Sequence, residues 1–220
     1  MIAPLSVEGE MAPSHCIDLH FIRHGQTRAR PGVLVGATDI ELSEQGKKTM
    51  LRLGPCLPDG LDCLCSPLIR ARQSLACLQS GCTVASVSIV DELREIDFGS
   101  YELHSFADLA GQGEDVSAMA RDYQSFVFPG GEAVADFLNR LKQFQNTLHA
   151  FRKQEKSLLI VSHGGVIRSL ICLLLGLDVE KYLLFEIGYG SWTTVRLFSE
   201  GGVLTRLNVQ PTSAGPWPEK

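Results

Sequence analysis

The chain has 220 residues, which at about 150 residues per domain predicts a single domain. Its apolar fraction of 45% and charged fraction of 20% are those of a globular protein, and they exclude a disordered chain, a collagen-like repeat and a coiled coil. The net charge of −5, without a block of five like charges, argues against binding to nucleic acid or to an anionic membrane surface.

The first half of the chain alternates strand and helix patterns. A strand is predicted over residues 17–22 and a helix over 43–53. A short apolar strand over 61–65 leads into a helix predicted to end near residue 79. Ser66 is expected to cap that helix, because the proline that follows it suits the first helical position.

The second half continues the same alternation and ends in a hairpin. Its long helix is predicted from apolar residues at a spacing near 3.6, and its last two strands from β-branched runs joined by a glycine-containing turn. The predicted elements are a strand over 84–90, two short helices within 102–127, a helix over 134–151, a strand over 158–161, a helix to about residue 175, and antiparallel strands over 192–198 and 203–209.

The two ends of the chain are predicted to be loose. Residues 1–15 and 210–220 contain prolines and glycines, so we expect a flexible N-terminal arm and a flexible tail on either side of one domain over 16–209. The arm lacks the basic and apolar regions of a signal peptide. The most apolar run, residues 158–177, is interrupted by polar residues and glycines, so no membrane span is predicted.

Seven cysteines are scattered along the chain, and this odd number predicts free thiols in a reducing cytoplasm rather than a secreted disulfide framework. Four of them, Cys63, Cys65, Cys77 and Cys82, fit no usual zinc-ligand spacing. We therefore predict no metal and no cofactor.

The alternation of strands and helices predicts an α/β fold, a three-layer α/β/α sandwich with a mostly parallel central sheet and an antiparallel edge. Ligands of such sheets bind at the carboxyl ends of the strands. Polar clusters follow three of the predicted strands, and we expect them to meet over one pocket. These clusters are Arg23-His24-Gly25, residues 66–70 and Ser162-His163-Gly164.

The residue types in these clusters indicate phosphate chemistry. Arg23 and Arg70 are forked cations suited to bidentate binding of phosphate oxygens, and His24 and His163 can change protonation near neutral pH. Two arginines and two histidines in one small volume would repel one another unless a dianion lay between them. A phosphoryl group meets that requirement.

Six segments of the chain resemble, in order, the motif blocks of the histidine phosphatase superfamily, the phosphoglycerate-mutase-like family. The resemblance extends over about residues 17–200 and is therefore much more specific than a single Arg-His-Gly tripeptide. The segments are residues 23–27, 36–46, 66–74, 93–102, 128–132 and 161–168.

The resemblance implies a role for each residue of the predicted pocket. His24 is implied as the nucleophile that forms a phosphohistidine. The resemblance implies that Arg23, Arg70 and His163 form a clamp that binds the phosphate. It also implies that His163 is a catalytic residue. Glu95 is implied as the general acid and then the general base, and other carboxylates nearby, Asp97 and Glu102, are alternatives for that role.

Substrate contacts are predicted at Gln26, Thr27, Arg30, Gly36 and Gly164. Gln26 stands where the family commonly has Glu, and Arg30 stands where it often has Asn. Arg28 and Arg30 either lie in solvent or line the mouth of the pocket and attract an anionic substrate.

The short stretch between residues 102 and 128 favours a phosphatase over a mutase. The compact length and the sequence after His163 resemble those of α-ribazole-5'-phosphate phosphatases and broad-specificity phosphatases. The predicted function is metal-independent hydrolysis of a small-molecule phosphomonoester. Two alternatives remain: a cofactor-dependent phosphoglycerate mutase, and a non-catalytic member that binds a phosphorylated ligand or a protein. The edge hairpin leaves room for a homodimer, and the oligomeric state stays open.

Overall fold

The computed structural model describes residues 16–211, so the predicted arm and nearly all of the predicted tail lie outside the described residues. Its centre is one six-stranded sheet with the strand order β3-β2-β4-β1-β5-β6. The strands are β1 (Ile17–Arg23), β2 (Leu61–Cys65), β3 (Val84–Ile89), β4 (Leu158–Ser162), β5 (Trp192–Leu197) and β6 (Gly202–Val209).

The sheet is parallel at one side and antiparallel at the other. Strand β4 pairs in parallel with β1 and β2, and β3 pairs in parallel with β2. Strands β5 and β6 form an antiparallel hairpin that pairs with β1. Because β1, β2 and β4 are neighbours that run in the same direction, the segments that follow them emerge at one edge of the sheet.

Helices cover both faces of the sheet, which confirms the predicted three-layer α/β/α sandwich. The helices are α1 (Glu44–Leu53), α2 (Ile69–Leu78), α3 (Phe106–Gly111), α4 (Ala118–Arg121), α5 (Val134–Lys153) and α6 (Gly164–Leu175). In β4, Leu158 and Ile160 face the core beneath α5 and α6, whereas Leu159 and Val161 face the core beneath α1 and α2. This alternation is the two-residue period of a strand buried on both faces.

Short 3-10 turns and the small helices α3 and α4 lie in the connections between the longer elements. The turns cover Gly54–Cys56, Asp91–Leu93, Gly99–Tyr101 and Val179–Leu184. The two short helices predicted within residues 102–127 are present as α3 and α4. None of the helices in the described range is long and apolar enough to cross a membrane.

The predicted start of α2 is wrong. The helix begins at Ile69, and Leu68 occupies the N-cap position without a side-chain hydrogen bond. The Ser66 hydroxyl lies instead 2.7 Å from Nε2 of His163. Ser43, by contrast, caps α1 by accepting from the N–H of Gly46. The same hydroxyl accepts from the N–H of Leu68 at 3.4 Å, one residue before the helix begins.

Candidate active site

The ends of β1 and β4 bring the two predicted histidines together. Arg23 is in register with Ser162, so His24 and His163 leave adjacent strands at the same level. Their ring centroids are 5.0 Å apart, and both side chains are buried. The parallel register thus produces the predicted meeting of segments that are more than a hundred residues apart in the chain.

Arg70 lies beneath this pair and is completely buried. Its Nε donates to Nδ1 of His163 at 3.2 Å, and its terminal nitrogens donate to the carbonyl oxygens of Thr38 at 2.9 Å and Gly36 at 2.6 Å. The guanidinium is therefore held by neutral acceptors rather than by a carboxylate. A buried cation held in this way leaves a positive field at the site.

The loop that receives Arg70 is shaped by Gly36 and Glu102. A Cβ at Gly36 would lie 2.0 Å from the carbonyl oxygen of Ile96, so only glycine fits there. The Glu102 carboxylate accepts from the N–H groups of Gly36 at 3.1 Å, Ala37 at 2.8 Å and Phe98 at 3.1 Å. Glu102 thus binds the backbone of this loop.

Arg23 supplies a second guanidinium with different surroundings. Its Nη1 donates to the carbonyl oxygen of Ile187 at 2.6 Å, and its Cζ lies 3.8 Å from the ring centroid of Tyr189. Its Nε is buried and has no hydrogen-bond partner within the described chain. An unsatisfied buried donor on a cation favours an anionic ligand beside it.

Both histidines are held in the neutral form. Burial, followed by the charges of Arg70 and Arg23, lowers the pKa of His24 well below its ordinary value. Burial and the Arg70 charge lower the pKa of His163 in the same way. Nδ1 of His24 lies 2.8 Å from the carbonyl oxygen of Gly25, so this nitrogen carries the ring proton and Nε2 keeps its lone pair.

The environment of His163 assigns the opposite tautomer. Its Nδ1 accepts from Arg70, and therefore its Nε2 carries the proton that is donated to the Ser66 hydroxyl. His163 thus connects Ser66 to the buried guanidinium of Arg70. His24 presents a nucleophilic nitrogen, whereas His163 presents a donor.

Among the three candidate carboxylates, Glu95 lies at the cavity that contains Arg23 and His24. It is 9% exposed, and its Oε2 accepts from the N–H of Gly165 at 2.9 Å. Asp97 is not among the residues lining that cavity, and its Oδ1 accepts from the N–H of Gly99 at 2.8 Å. Of these two carboxylates, only Glu95 lines the cavity, and its role as acid stays a prediction.

The cavity has a volume of about 270 Å³ and two chemically different ends. Its polar end is formed by Arg23, His24, Glu95, Gly164 and Gly165. Its other end is mostly aliphatic and aromatic, with lining residues from several loops and from α3, α5 and α6. These are Val33, Leu34, Val35, Ile96, Phe98, Phe106, Tyr123, Phe128, Phe137, Arg168, Tyr182 and Leu183. Tyr189 also lines the cavity, but its ring lies against Arg23 and His24 at the polar end.

The residues predicted to contact substrate are only partly at this cavity. Gly164 lines it, whereas Gln26, Thr27, Arg30 and Gly36 do not. The Thr27 hydroxyl accepts from the N–H of Ala29 at 3.3 Å. Arg30 forms an ion pair with the Asp108 carboxylate, which also caps α3. Substrate contact by these four residues remains a prediction.

Several cavity residues were not predicted from the sequence. Tyr189 has its ring 5.5 Å from that of His24 and beneath Arg23. Tyr123 and Tyr182 stack with ring centroids 4.5 Å apart. The one local signal is the Gly188-Tyr189-Gly190 sequence before β5, since glycines on both sides of an aromatic residue often mark a close approach to a ligand.

The comparisons with known proteins place the chain in a family. Residues 19–210 match the model of the histidine phosphatase superfamily (branch 1). The chain belongs to the histidine phosphatase superfamily. The predicted fold class and the predicted enzyme class, a phosphatase, are thereby confirmed.

Similar histidine phosphatases are known in sequence and in structure. The adenosylcobalamin/alpha-ribazole phosphatase of Salmonella typhimurium is 33% identical over 198 residues, covering 86% of this chain and 95% of that protein. The protein of that name from Escherichia coli is 31% identical, with the same coverage of both chains. The crystal structure of a putative alpha-ribazole-5'-P phosphatase from Escherichia coli has a TM-score of 0.80 and 29% identity, covering 90% of this chain and 99% of that one.

Proposed function

We propose that this phosphatase hydrolyses a small phosphorylated metabolite through a phosphohistidine formed on His24. The observation that carries the proposal is the state of the His24 ring. It is neutral, its Nδ1–H is bound to a carbonyl oxygen, and its free Nε2 belongs to a cavity that also contains Arg23 and Glu95.

In the first step, Nε2 of His24 attacks phosphorus, and the bond from phosphorus to the leaving oxygen breaks. Glu95 transfers a proton to that oxygen, so an alcohol leaves rather than an alkoxide. Arg23, Arg70 and His163 stabilise the charge on the transferring oxygens, which is the main contribution of a protein to phosphoryl transfer. The unpartnered Nε of Arg23 is a donor ready for this role.

In the second step, a water molecule attacks the phosphohistidine. The Glu95 carboxylate accepts a proton from the water as the new P–O bond forms and the P–N bond breaks. Phosphate leaves, and the His24 ring returns to its neutral form with Nε2 free. Dividing the displacement into two steps lets one carboxyl group act first as acid and then as base.

The proposal includes independence from metal ions. Two guanidinium groups bound to neutral acceptors supply the positive charge that a metal ion supplies in other phosphatases. We expect full activity after exhaustive treatment with EDTA. Loss of activity that Mg²⁺ restores would reject this mechanism.

The first substrate to test is α-ribazole 5'-phosphate, because the relatives reported above are named for it.

A phosphoglycerate mutase must also hold a second phosphate and a carboxylate. Among the described residues that line the cavity, the positive charges are those of Arg23 and Arg168, and Nε of Arg168 donates to the carbonyl oxygen of Phe185. The mostly apolar remainder supports a phosphatase.

The test is a panel of phosphorylated metabolites assayed for release of inorganic phosphate, with His24→Ala as the blank. We expect hydrolysis of at least one phosphomonoester and a loss of roughly 10⁴-fold or more in His24→Ala. The variant His149→Ala, on α5 and away from the cavity, should keep full activity.

Other outcomes of this panel would identify the alternatives. Isomerisation of phosphoglycerate that depends on 2,3-bisphosphoglycerate, with little phosphate release, would show a mutase. Absence of hydrolysis across the panel would favour a non-catalytic phospho-ligand-binding protein.

The odd number of scattered cysteines supports the cytoplasm as the place of action.

A further inference from the structure

The segment that carries Glu95 has its backbone held by a side chain from a distant helix. Arg140, on α5, donates from Nη1 to the carbonyl oxygens of Glu92 at 2.6 Å and Arg94 at 2.7 Å. From Nη2 it donates to the carbonyl oxygen of Glu95 itself at 3.2 Å. These contacts join residues 45 to 48 positions apart in the sequence.

The remaining carbonyl of this segment is also bound by a side chain. The Ser162 hydroxyl, at the end of β4, donates to the carbonyl oxygen of Leu93 at 2.8 Å. Four consecutive carbonyl oxygens, those of residues 92–95, are therefore held by side chains rather than by a neighbouring strand. These contacts, together with the buried side chains of Leu93 and Ile96, hold the main chain at Glu95.

Glu132 orients the guanidinium of Arg140. Its two carboxylate oxygens accept from Nε of Arg140 at 2.8 Å and from Nη2 at 3.0 Å, and both side chains are about four-fifths buried. Glu132 also accepts from the N–H of Asp97 at 3.3 Å, at the other side of Glu95. The pair thus holds the acid-bearing segment on both sides.

All five N–H groups of the Arg140 guanidinium are used. Nε–H binds Glu132, the two hydrogens of Nη1 bind two carbonyls, and those of Nη2 bind one carbonyl and Glu132. A lysine has three donors on a flexible stem and cannot make this planar set of bonds. These five hydrogen bonds therefore require the planar guanidinium group of arginine and not only its positive charge.

We propose that Arg140, oriented by Glu132, is a positioning residue that sets the place of the Glu95 carboxyl group for proton transfer to the leaving oxygen. The proposal rests on the proposed role of Glu95 as general acid. Arg140 itself does not line the cavity and touches no reacting atom. Its removal should therefore affect protonation of the leaving group and not phosphate binding.

The test compares two substrates of similar size, benzyl phosphate and p-nitrophenyl phosphate. The benzyl alkoxide must be protonated as it leaves, whereas p-nitrophenolate leaves without a proton. With both substrates kcat/KM reports the steps up to the phosphohistidine. In Arg140→Gln, kcat/KM should fall on the order of tenfold to a hundredfold with benzyl phosphate but less than about threefold with p-nitrophenyl phosphate.

The quantity compared is the ratio of kcat/KM for benzyl phosphate to kcat/KM for p-nitrophenyl phosphate. Both values are measured with one preparation, so the effect of a partly unfolded variant cancels. Arg140→Lys keeps the charge and should still lower the ratio, whereas full rescue by lysine would overturn the proposal. Glu132→Gln is the milder variant for the case in which Arg140→Gln does not fold, and it should lower the ratio in the same direction.

A matched control removes a similar pair elsewhere. Arg196 on β5 makes a bidentate pair with Asp18 at 2.8 and 3.0 Å, and Arg196→Gln should leave the ratio unchanged. Glu95→Gln separates the two proposals. If it lowers kcat/KM equally with both substrates, the acid role proposed for Glu95 fails. If it acts selectively on benzyl phosphate and Arg140→Gln does not, the positioning role alone is wrong.

Discussion

The two ends of the cavity are built by different parts of the chain. The polar end combines Arg23 and His24 at the end of β1, Gly164 and Gly165 after β4, and Glu95 in the connection after β3. Arg70, from the start of α2, binds His163 beside it. The apolar end comes from the loop around Leu34, from Phe106 on α3 and from Tyr182 and Leu183 in a 3-10 turn. The end of β1 supplies the proposed nucleophile, whereas connections supply the proposed acid and the surface for the rest of the substrate.

This difference follows from the energetics of buried charge. A guanidinium without a carboxylate partner is tolerated only where several acceptors are held at fixed positions, as the carbonyl oxygens of Gly36 and Thr38 are held around Arg70. Apolar lining needs only shape, and loops can change shape without loss of the core. Enzymes on one fold can therefore share a reaction and differ in the leaving group.

The largest effect in this comparison is expected at the polar end. Arg23→Lys keeps the charge but loses the fork, so kcat/KM should fall on the order of 10²–10³-fold for every phosphomonoester alike. Steady-state kinetics on three substrates with different leaving groups would check this. The exposed Arg28, which pairs with Glu41 at 3.2 Å, provides the control Arg28→Lys. A fall in kcat/KM for only one of the substrates would show that Arg23 acts on the leaving group and not on the phosphate.

A smaller and selective effect is expected at the apolar end. Leu183→Ala should raise KM for benzyl phosphate by roughly three- to tenfold while inhibition by inorganic phosphate stays unchanged. The adjacent Leu184 does not line the cavity and is similarly exposed, at 75% compared with 67%, so Leu184→Ala is a matched control. Weaker inhibition by phosphate in Leu183→Ala would show that the two ends do not act separately.

The last prediction concerns stability rather than activity, and it too should separate the two ends of the cavity. The pKa values of His24 and His163 are lowered in the folded protein, so below about pH 6.5 the unfolded chain binds more protons than the folded one. The free energy of unfolding therefore decreases as the pH is lowered from about 6.5. Burial lowers the pKa of His20, outside the cavity, to about 4 in the same sense.

Each such histidine should contribute about 1.4 kcal/mol per pH unit below its unfolded pKa until its folded pKa is reached. Urea unfolding between pH 7 and pH 5 measures the slope. The slope should be shallower in His24→Ala and unchanged in Leu183→Ala. An unchanged slope in His24→Ala would mean that this ring is protonated equally in both states.

Much of the fold was predictable because its signals are local. The strand runs, the cap at Ser43 and the 3.6-residue stripe of α5 depend on neighbouring residues alone, and all are present in the structure. The cap predicted at Ser66 is wrong, since α2 begins at Ile69. The contact of the Ser66 hydroxyl with His163, nearly a hundred residues away, has no local signal in the sequence. The aromatic end of the cavity was not predicted, because its rings come from loops without a periodic pattern.

The sequence by itself determined the order of the elements and the kind of reacting group at each strand end. Only the tertiary structure decided which of three nearby carboxylates faces the cavity. Glu95 lines the cavity, where its Oε2 accepts from the N–H of Gly165 and its main-chain carbonyl oxygen is bound by Arg140. Asp97 and Glu102 do not line the cavity, and they accept from backbone N–H groups of their own loop or of another. Hydrogen bonds between distant segments make that choice, and such partners exist only after the chain has folded.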